Sequence, residues 1–309
     1  MSALGDWRLW GKESVRLRLP HCVVEIAGVS RSQRDAIEQA YSAFVLRESE
    51  RQARVDVFCE ARRLAAPLTV PPQELTAAGQ YAPRQVRQDD CVQVTGIDFT
   101  ARIPLVSGAQ GSGPAVARVC VAREEELSQP IVLENVLRIL LAHRAIGFGG
   151  MLLHSAGVVI DGRAFLFVGR SNAGKTTLSR KADAKGLSVL SDDINLVLPC
   201  AGGFAVHAVP FTGEFRRRVE VGPGASPLAG LLLLEKGARL ELARVGAAAA
   251  VSALFAQSPF VNTGIEQASG LLESLAGVVA KVPVARLTVA LESRFSEVMK
   301  AVEEHFSYV

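Results

Sequence analysis

The sequence predicts a mixed α/β (α+β) protein in two parts: a small N-terminal α+β domain, then a mixed-sheet domain built on a phosphate-binding loop. Three observations predict it. The stretch Gly169-Arg-Ser-Asn-Ala-Gly-Lys-Thr176 has the G-x-x-x-x-G-K-[ST] spacing and follows the apolar run Ala164 to Val168. The dipeptide Asp161-Gly162 separates two strand-like runs, so the loop is reached from an antiparallel hairpin instead of the parallel strand of an ordinary doubly wound domain. Asp192-Asp193 closes the strand that follows the loop helix, which returns two carboxylates after one short crossover.

The totals narrow the classes of function. A chain of 309 residues is long enough for two domains whose cores need no disulfides. A net charge of +3 is too small to suggest a nucleic-acid surface, so nucleic acid is not an expected partner. Cys22, Cys59, Cys91, Cys120 and Cys200 lie far apart, with no C-x-x-C pair and an odd count, which fits reduced thiols in the cytosol. Met1 to Trp10 has no secretory-signal pattern. The apolar region Leu137 to Ile160 is broken by Arg138, His143, Arg144 and the glycines at 147, 149 and 150, so no membrane span is expected and the protein reads as cytoplasmic.

In chain order, Cys22 to Val29 reads as a strand, Arg31 to Val45 as a helix and Arg54 to Cys59 as a strand. From Pro67 to Cys91 the prolines predict loop; Val92 to Ile103 and Ala115 to Ala122 alternate like strands. Glu124 to Glu126 reads as a solvated boundary, which places the domains at 1–125 and 126–309. Ile131 to Ile146 has helical spacing and ends at Gly147. Met151 to Ile160 and Arg163 to Val168 form the predicted hairpin. With Ile160 and Arg163 flanking the turn, counting back along both strands places His154 opposite Gly169.

The loop helix is expected from Lys175 to Lys185, with Gly186 as its left-handed terminator. A strand Leu187 to Ser191 follows. Ile194 to Leu198 and Phe204 to Val209 read as a hairpin, and Leu228 to Leu234 with Arg239 to Arg244 as a third. Ala247 to Ala256 and Ile265 to Ala280 read as packing helices, Val284 to Ala290 as a strand, and Ser293 to Phe306 as a final amphipathic helix.

The chemistry follows from residue types. The candidate nucleotide-binding residues are Gly169, Arg170, Ser171, Asn172, Ala173, Gly174, Lys175, Thr176 and Thr177. Loop amides wrap a polyphosphate, Lys175 adds a point charge, the Thr176 hydroxyl can bind Mg²⁺, and the helix dipole points at the same phosphates. Phosphoryl transfer needs a carboxylate on the metal and an oxygen base for the acceptor's proton, tasks that Asp192 and Asp193 can divide. A lone histidine on an apolar strand is ordinarily a core residue; the hairpin register makes His154 a phosphate or acid-pair neighbour, whereas His207 keeps the core reading. Arg216-Arg-Arg218, after Pro210 to Glu214, is either a solvated face or a clamp for phosphate or an acidic acceptor.

Taken together, His154, Gly169 to Thr176 and Asp192-Asp193 resemble the catalytic domain of the HPr serine kinase/phosphorylase family, whose P-loop fold is related to that of phosphoenolpyruvate carboxykinase. The resemblance covers residues 150 to 198. It implies ATP and Mg²⁺ as cofactors, Asp192 as general base, Asp193 with Thr176 on the metal, His154 supporting the base and the transferring phosphate, and Lys175 in the catalytic set. It also implies a homo-oligomer. The glycine-rich signature that serves the reverse, phosphorolytic reaction is missing after the acid pair, so the chain is similar to the divergent HPr-kinase-related proteins, some of which act on peptides in biosynthetic pathways. The expected acceptor is a hydroxyl on a protein, peptide or small molecule. Two other functions stay open: a catalytically silent nucleotide-binding regulatory or assembly protein, and a simple NTP hydrolase.

Overall fold

A computed structural model describes residues 8–50, 52–65, 68, 70, 76–77, 80–105, 113–211, 213, 224–262 and 265–307. It is mixed α/β, and the chain divides into two compact units, Met1–Arg144 and Ala145–Val309.

The first unit contains β1 (Arg8–Leu9), β2 (Glu13–Leu19), β3 (Cys22–Val29), α1 (Arg31–Ala40), β4 (Val57–Arg63), β5 (Thr76–Ala77), β6 (Gln80–Tyr81), β7 (Arg84–Gln88), β8 (Cys91–Gly96), β9 (Phe99–Pro104) and β10 (Ala115–Val121). Its main sheet has the order β2-β3-β4-β10-β9-β8-β7, with β1 added to β4. Helix α1 starts on a capping box in which the Ser30 hydroxyl and the Gln33 side chain satisfy each other's backbone amides.

Three expectations in this unit need correction. The span from 67 to 90 is not all loop, since β7 forms there; it is an edge strand, Arg-Gln-Val-Arg-Gln, with every residue but Gln85 exposed, so it lacks the apolar alternation that marks a strand. Val92 to Ile103 is two strands, β8 and β9, turned at Asp98 with φ 62°. Glu126 is buried instead of solvated, and its carboxylate accepts the Ala122 and Arg123 amides at 3.0 and 2.9 Å.

The division between the units falls inside helix α2 (Asn135–Gly147), later than the 125/126 boundary expected. Glu134 and Arg138 form an ion pair, and both act on buried Tyr41 of the first unit, whose hydroxyl is pushed up by burial above all.

The second unit contains β11 (Met151–Ile160), β12 (Arg163–Val168), α3 (Lys175–Asp183), β13 (Ser188–Ser191), β14 (Ile194–Cys200), β15 (Gly203–His207), β16 (Ala225–Lys236), β17 (Glu241–Arg244), α4 (Ala247–Ala256), α5 (Ile265–Val279), β18 (Val284–Val289) and α6 (Phe295–Ser307). The sheet is mixed, with order β12-β11-β14-β15-β16-β18-β17; β13 pairs with β11, and β12 also pairs with β16, which returns the path to its start. Strand β12 runs antiparallel to β11 and parallel to β16. It is flanked on both edges, and Ala164 to Val168 are all buried, as a continuous apolar run requires.

The hairpin forms as the residues dictate. Asp161 (φ 48°) and Gly162 (φ 75°) take the left-handed conformations of a type I′ turn, and Ile160 pairs with Arg163. Gly186, at φ 75°, ends the loop-helix segment, with the Leu187 amide turned back to the Ala182 carbonyl at 3.2 Å. Helices α3 and α6 cover the sheet through Leu178, Ala182, Phe295, Val298 and Val302, packed with Phe165, Phe167, Leu232 and Leu287. Burial of each large side chain contributes roughly 1.5–3 kcal/mol. The expected hairpin of Leu228–Leu234 with Arg239–Arg244 does not form: β18 lies between them, parallel to β16 and antiparallel to β17. No helix among the described residues is long and apolar enough to cross a membrane.

All five cysteines are free, four of them buried and Cys200 exposed. Burial raises the thiols of Cys22 and Cys59 to about 12 and that of Cys120 to about 11. A thiol reagent at about pH 8 is therefore expected to titrate one cysteine rapidly in the native protein and all five after unfolding. Rapid reaction of more than one would contradict this burial.

His143 gives a pH prediction. Burial first, and Arg87 second, lower its imidazole from 6.5 to about 4. The unfolded chain then holds a proton that the folded chain lacks between those values, so stability falls as pH drops from 6.5 to about 4. In urea unfolding across that window, His143→Gln should flatten the decline; an identical slope would refute the assignment.

Candidate functional site

Strand β12 delivers the chain at Gly169, where a Cβ would lie 3.0 Å from both the Leu234 carbonyl oxygen and the Ala173 Cβ. A side chain there would be tight against β16 and the loop, which would have to give by a few tenths of an ångström. Asn172 (φ 62°) and Gly174 (φ 106°) then adopt left-handed backbone, which curls the loop into the first turn of α3. Gly174 is the N-cap and supplies no side-chain hydrogen bond, so the helix begins without a side chain over its amides. A Cβ on Gly174 would meet nothing within 4 Å, which places open space before the loop. These features fit a polyphosphate cradle.

Lys175 is only 6% exposed. Its ammonium donates to the carbonyls of Gly169 at 2.7 Å and Arg170 at 2.9 Å. The charge is thus held inside the turn of the loop. Thr176 is half-buried in the first turn of α3, while Arg170, Ser171, Asn172 and Thr177 are exposed.

The acid pair sits where β13 gives way to β14. Asp192 is 5% exposed. Asp193 has 26% of its side chain exposed, and its Oδ1 lies 3.1 Å from the His154 Nε2. The Ser191 hydroxyl accepts the amides of Asp193 and Ile194, both at 3.2 Å. A Cβ at Gly213 would fall 2.1 Å from the Asp192 Oδ1 and 2.8 Å from the Asp193 Cβ, so the backbone at 213 lies against both acids.

Ser155 relates this pair to the loop. On one edge of β11 it pairs with Val168, the last residue before the loop; on the other its amide donates to the Asp193 carbonyl at 3.0 Å. Strands lie about 4.8 Å apart, so the loop entrance and the acid pair are about 10 Å apart across β11.

The placement of His154 differs from expectation. The predicted register runs from Ile160↔Arg163 to Ser155↔Val168 and stops there, because the chain leaves β12 at Gly169 to form the loop. His154 pairs with Ile194 of β14 instead, and its amide donates to the Gln257 carbonyl at 2.7 Å. It meets the acid pair directly, through the acid expected to hold metal. His207 lies on β15 opposite Leu196, and Arg216 to Arg218 lie outside the described residues. Sequence reasoning passed over Ser155, Ser191, Asn195 and Gly213. Of these, Asn195 carried a signal, as the polar residue within the apolar run Ile194 to Leu198.

No group of three or more His, Cys, Asp or Glu able to hold a metal occurs among the described residues. By donor type alone, a hydroxyl and one or two carboxylates are ligands that Mg²⁺ accepts, its other positions being filled by phosphate and water.

The family described as SynChlorMet cassette protein ScmC has a model that matches residues 119–304. No match was found among curated proteins. Among solved structures, the HPr(Ser) kinase/phosphatase from Coxiella burnetii aligns with a TM-score of 0.29 and 11% identity, over 51% of this chain and 97% of its own. A score that low is too slight to assign a fold.

Removing the Ser191 hydroxyl strips two amides at the acid pair of their acceptor. Ser191→Ala is expected to lower the unfolding free energy by about 1–2 kcal/mol, read as a fall of a few degrees in Tm. An unchanged Tm would show that neither bond stabilises the pair.

Proposed function

We propose, for a chain that belongs to the ScmC family by a match over more than half its length, that the second unit is an ATP- and Mg²⁺-dependent kinase. It transfers the γ-phosphoryl group to a hydroxyl on a protein, peptide or small molecule. Its fold in this reading is the P-loop kinase type of the HPr-kinase-related proteins and phosphoenolpyruvate carboxykinase. The observation that carries the proposal is the position of Ser155, with the glycine loop leaving one side of β11 and the acid pair on the other.

Each residue then has a task. The amides of Gly169 to Thr176 and the Lys175 ammonium balance the polyphosphate charge as it shifts toward the leaving diphosphate. Mg²⁺, held by Thr176 and Asp193, supplies further neutralisation when bound. His154 holds the Asp193 carboxylate through its 3.1 Å contact. Asp192 takes the acceptor's proton as the new O–P bond forms, and the bond from the γ-phosphorus to the bridging oxygen breaks with its electrons leaving on ADP. The backbone at Gly213 lies against both acids, so a side chain there would crowd the Asp192 carboxylate.

Incubation with γ-labelled ATP, Mg²⁺ and candidate acceptors or lysate tests this. Lys175→Ala should lose nucleotide affinity, and unchanged affinity would remove the basis of the reading. Asp192→Asn should keep ATP binding and lose transfer by about 10²–10⁴-fold. Label released only as inorganic phosphate, and independently of Asp192, would make the protein a simple NTP hydrolase.

A further inference from the structure

We propose that Asn195 is a positioning residue which holds the acid pair out of the strand ladder; the proposal rests on the kinase reading for its catalytic meaning and on hydrogen bonds for its geometry. In an antiparallel pair, a residue's N–H and C=O point to the same edge, and a hydrogen-bonded pair exchanges both bonds. Ser155 and Asp193 make only one of the two: the Ser155 amide donates to the Asp193 carbonyl at 3.0 Å. The Asp193 amide turns to the Ser191 hydroxyl at 3.2 Å, so the Ser155 carbonyl lacks its ladder donor.

The Asn195 side chain takes that place. Its Nδ2 donates to the Ser155 carbonyl at 2.8 Å and to the Ser155 hydroxyl at 3.0 Å. A backbone carbonyl only accepts, so the amide nitrogen must face Ser155. Its Oδ1 therefore points the other way, buried and without a partner among the described residues. An apolar residue of similar size would fill the space without an orphaned oxygen, so what Asn195 adds is the pair of bonds to Ser155.

The neighbourhood is shaped to admit it. A Cβ at Gly157 would fall 2.5 Å from the Asn195 Oδ1, so a glycine stands where the amide oxygen needs room. Beyond it the β11–β13 ladder shifts register, with Gly157 opposite Ser191 and Val158 opposite Val189. At 1% exposure, Asn195 braces this break from inside. The acids lie between β13 and β14, and the Asn195 bonds hold Ser155, the neighbour of His154 on β11 and the partner of Val168 at the loop entrance.

The test uses the full chain and two variants. Asn195→Ala is expected to keep ATP affinity to within about threefold and to slow single-turnover transfer about tenfold or more, a split that general loosening of the fold would not produce. Hydrogen exchange needs no activity: the Ser155 amide should exchange about tenfold faster in the variant while that of Leu166 on β12 is unchanged. Gly157→Ala, which pushes a methyl into the Asn195 oxygen, should accelerate the same amide and decides the question if Asn195→Ala does not fold. Unchanged Ser155 exchange in the folded variants overturns the proposal, as does unchanged transfer in an active enzyme. Should the wild type bind no ATP or transfer nothing, the kinase reading fails, and the exchange result still decides the role of Asn195.

Discussion

Strand β11 has ten residues and three strand partners, and the division of its edges at Ser155 organises the second unit. One edge is given to β12, whose apolar run ends at Val168 and releases the glycine loop. The other edge is shared by β13 and β14, which cannot both pair with the residues in between. An extended chain leaves backbone groups that must be satisfied somewhere. Here two side chains, Ser191 and Asn195, meet that need, and the acids emerge at the point where the ladder is interrupted. A regular ladder would direct Asp192 and Asp193 to opposite faces of the sheet.

The same constraint links fold to chemistry. Loop and acids are separated by one strand of fixed width, so their spacing is set by the backbone of β11 and not by flexible side chains. The core beneath holds that strand in place. Phe167 of β12 packs edge-on against Phe295 of α6 with ring centroids 6.3 Å apart, and Lys181 of α3 reaches the Leu291 and Ser293 carbonyls at 2.7 Å each. The loop helix is thereby tied to the turn that begins α6.

Much of this was legible in the sequence, for local reasons. Asp161-Gly162 dictates its own turn, Gly186 its own helix end, and Gly169 to Thr176 its own curl, because each depends on the backbone freedom of one or two residues. Long-range pairing was less legible. Arg239 to Arg244 looks like the return strand of Leu228 to Leu234, yet β18 arrives from 40 residues further on in sequence and takes the place between. Edge strand β7 carries no apolar face to betray it. The position of His154 depended on where a ladder stops, which is decided by the departure of Gly169 and by competition from β14, not by the turn that sets its register.

The bonds of Lys175 to the Gly169 and Arg170 carbonyls give the loop an internal cross-tie. A buried ammonium without partners would carry a large desolvation penalty and favour collapse or deprotonation. With two carbonyls accepting from it, the ammonium has partners inside its own loop and ties the turn across itself. In the kinase proposed above, a polyphosphate would therefore compete for a cation already engaged instead of adding contacts to an unpaired one. Measured affinity would report the difference between two sets of bonds, and residence time would depend on how readily the lysine swings back to its own backbone.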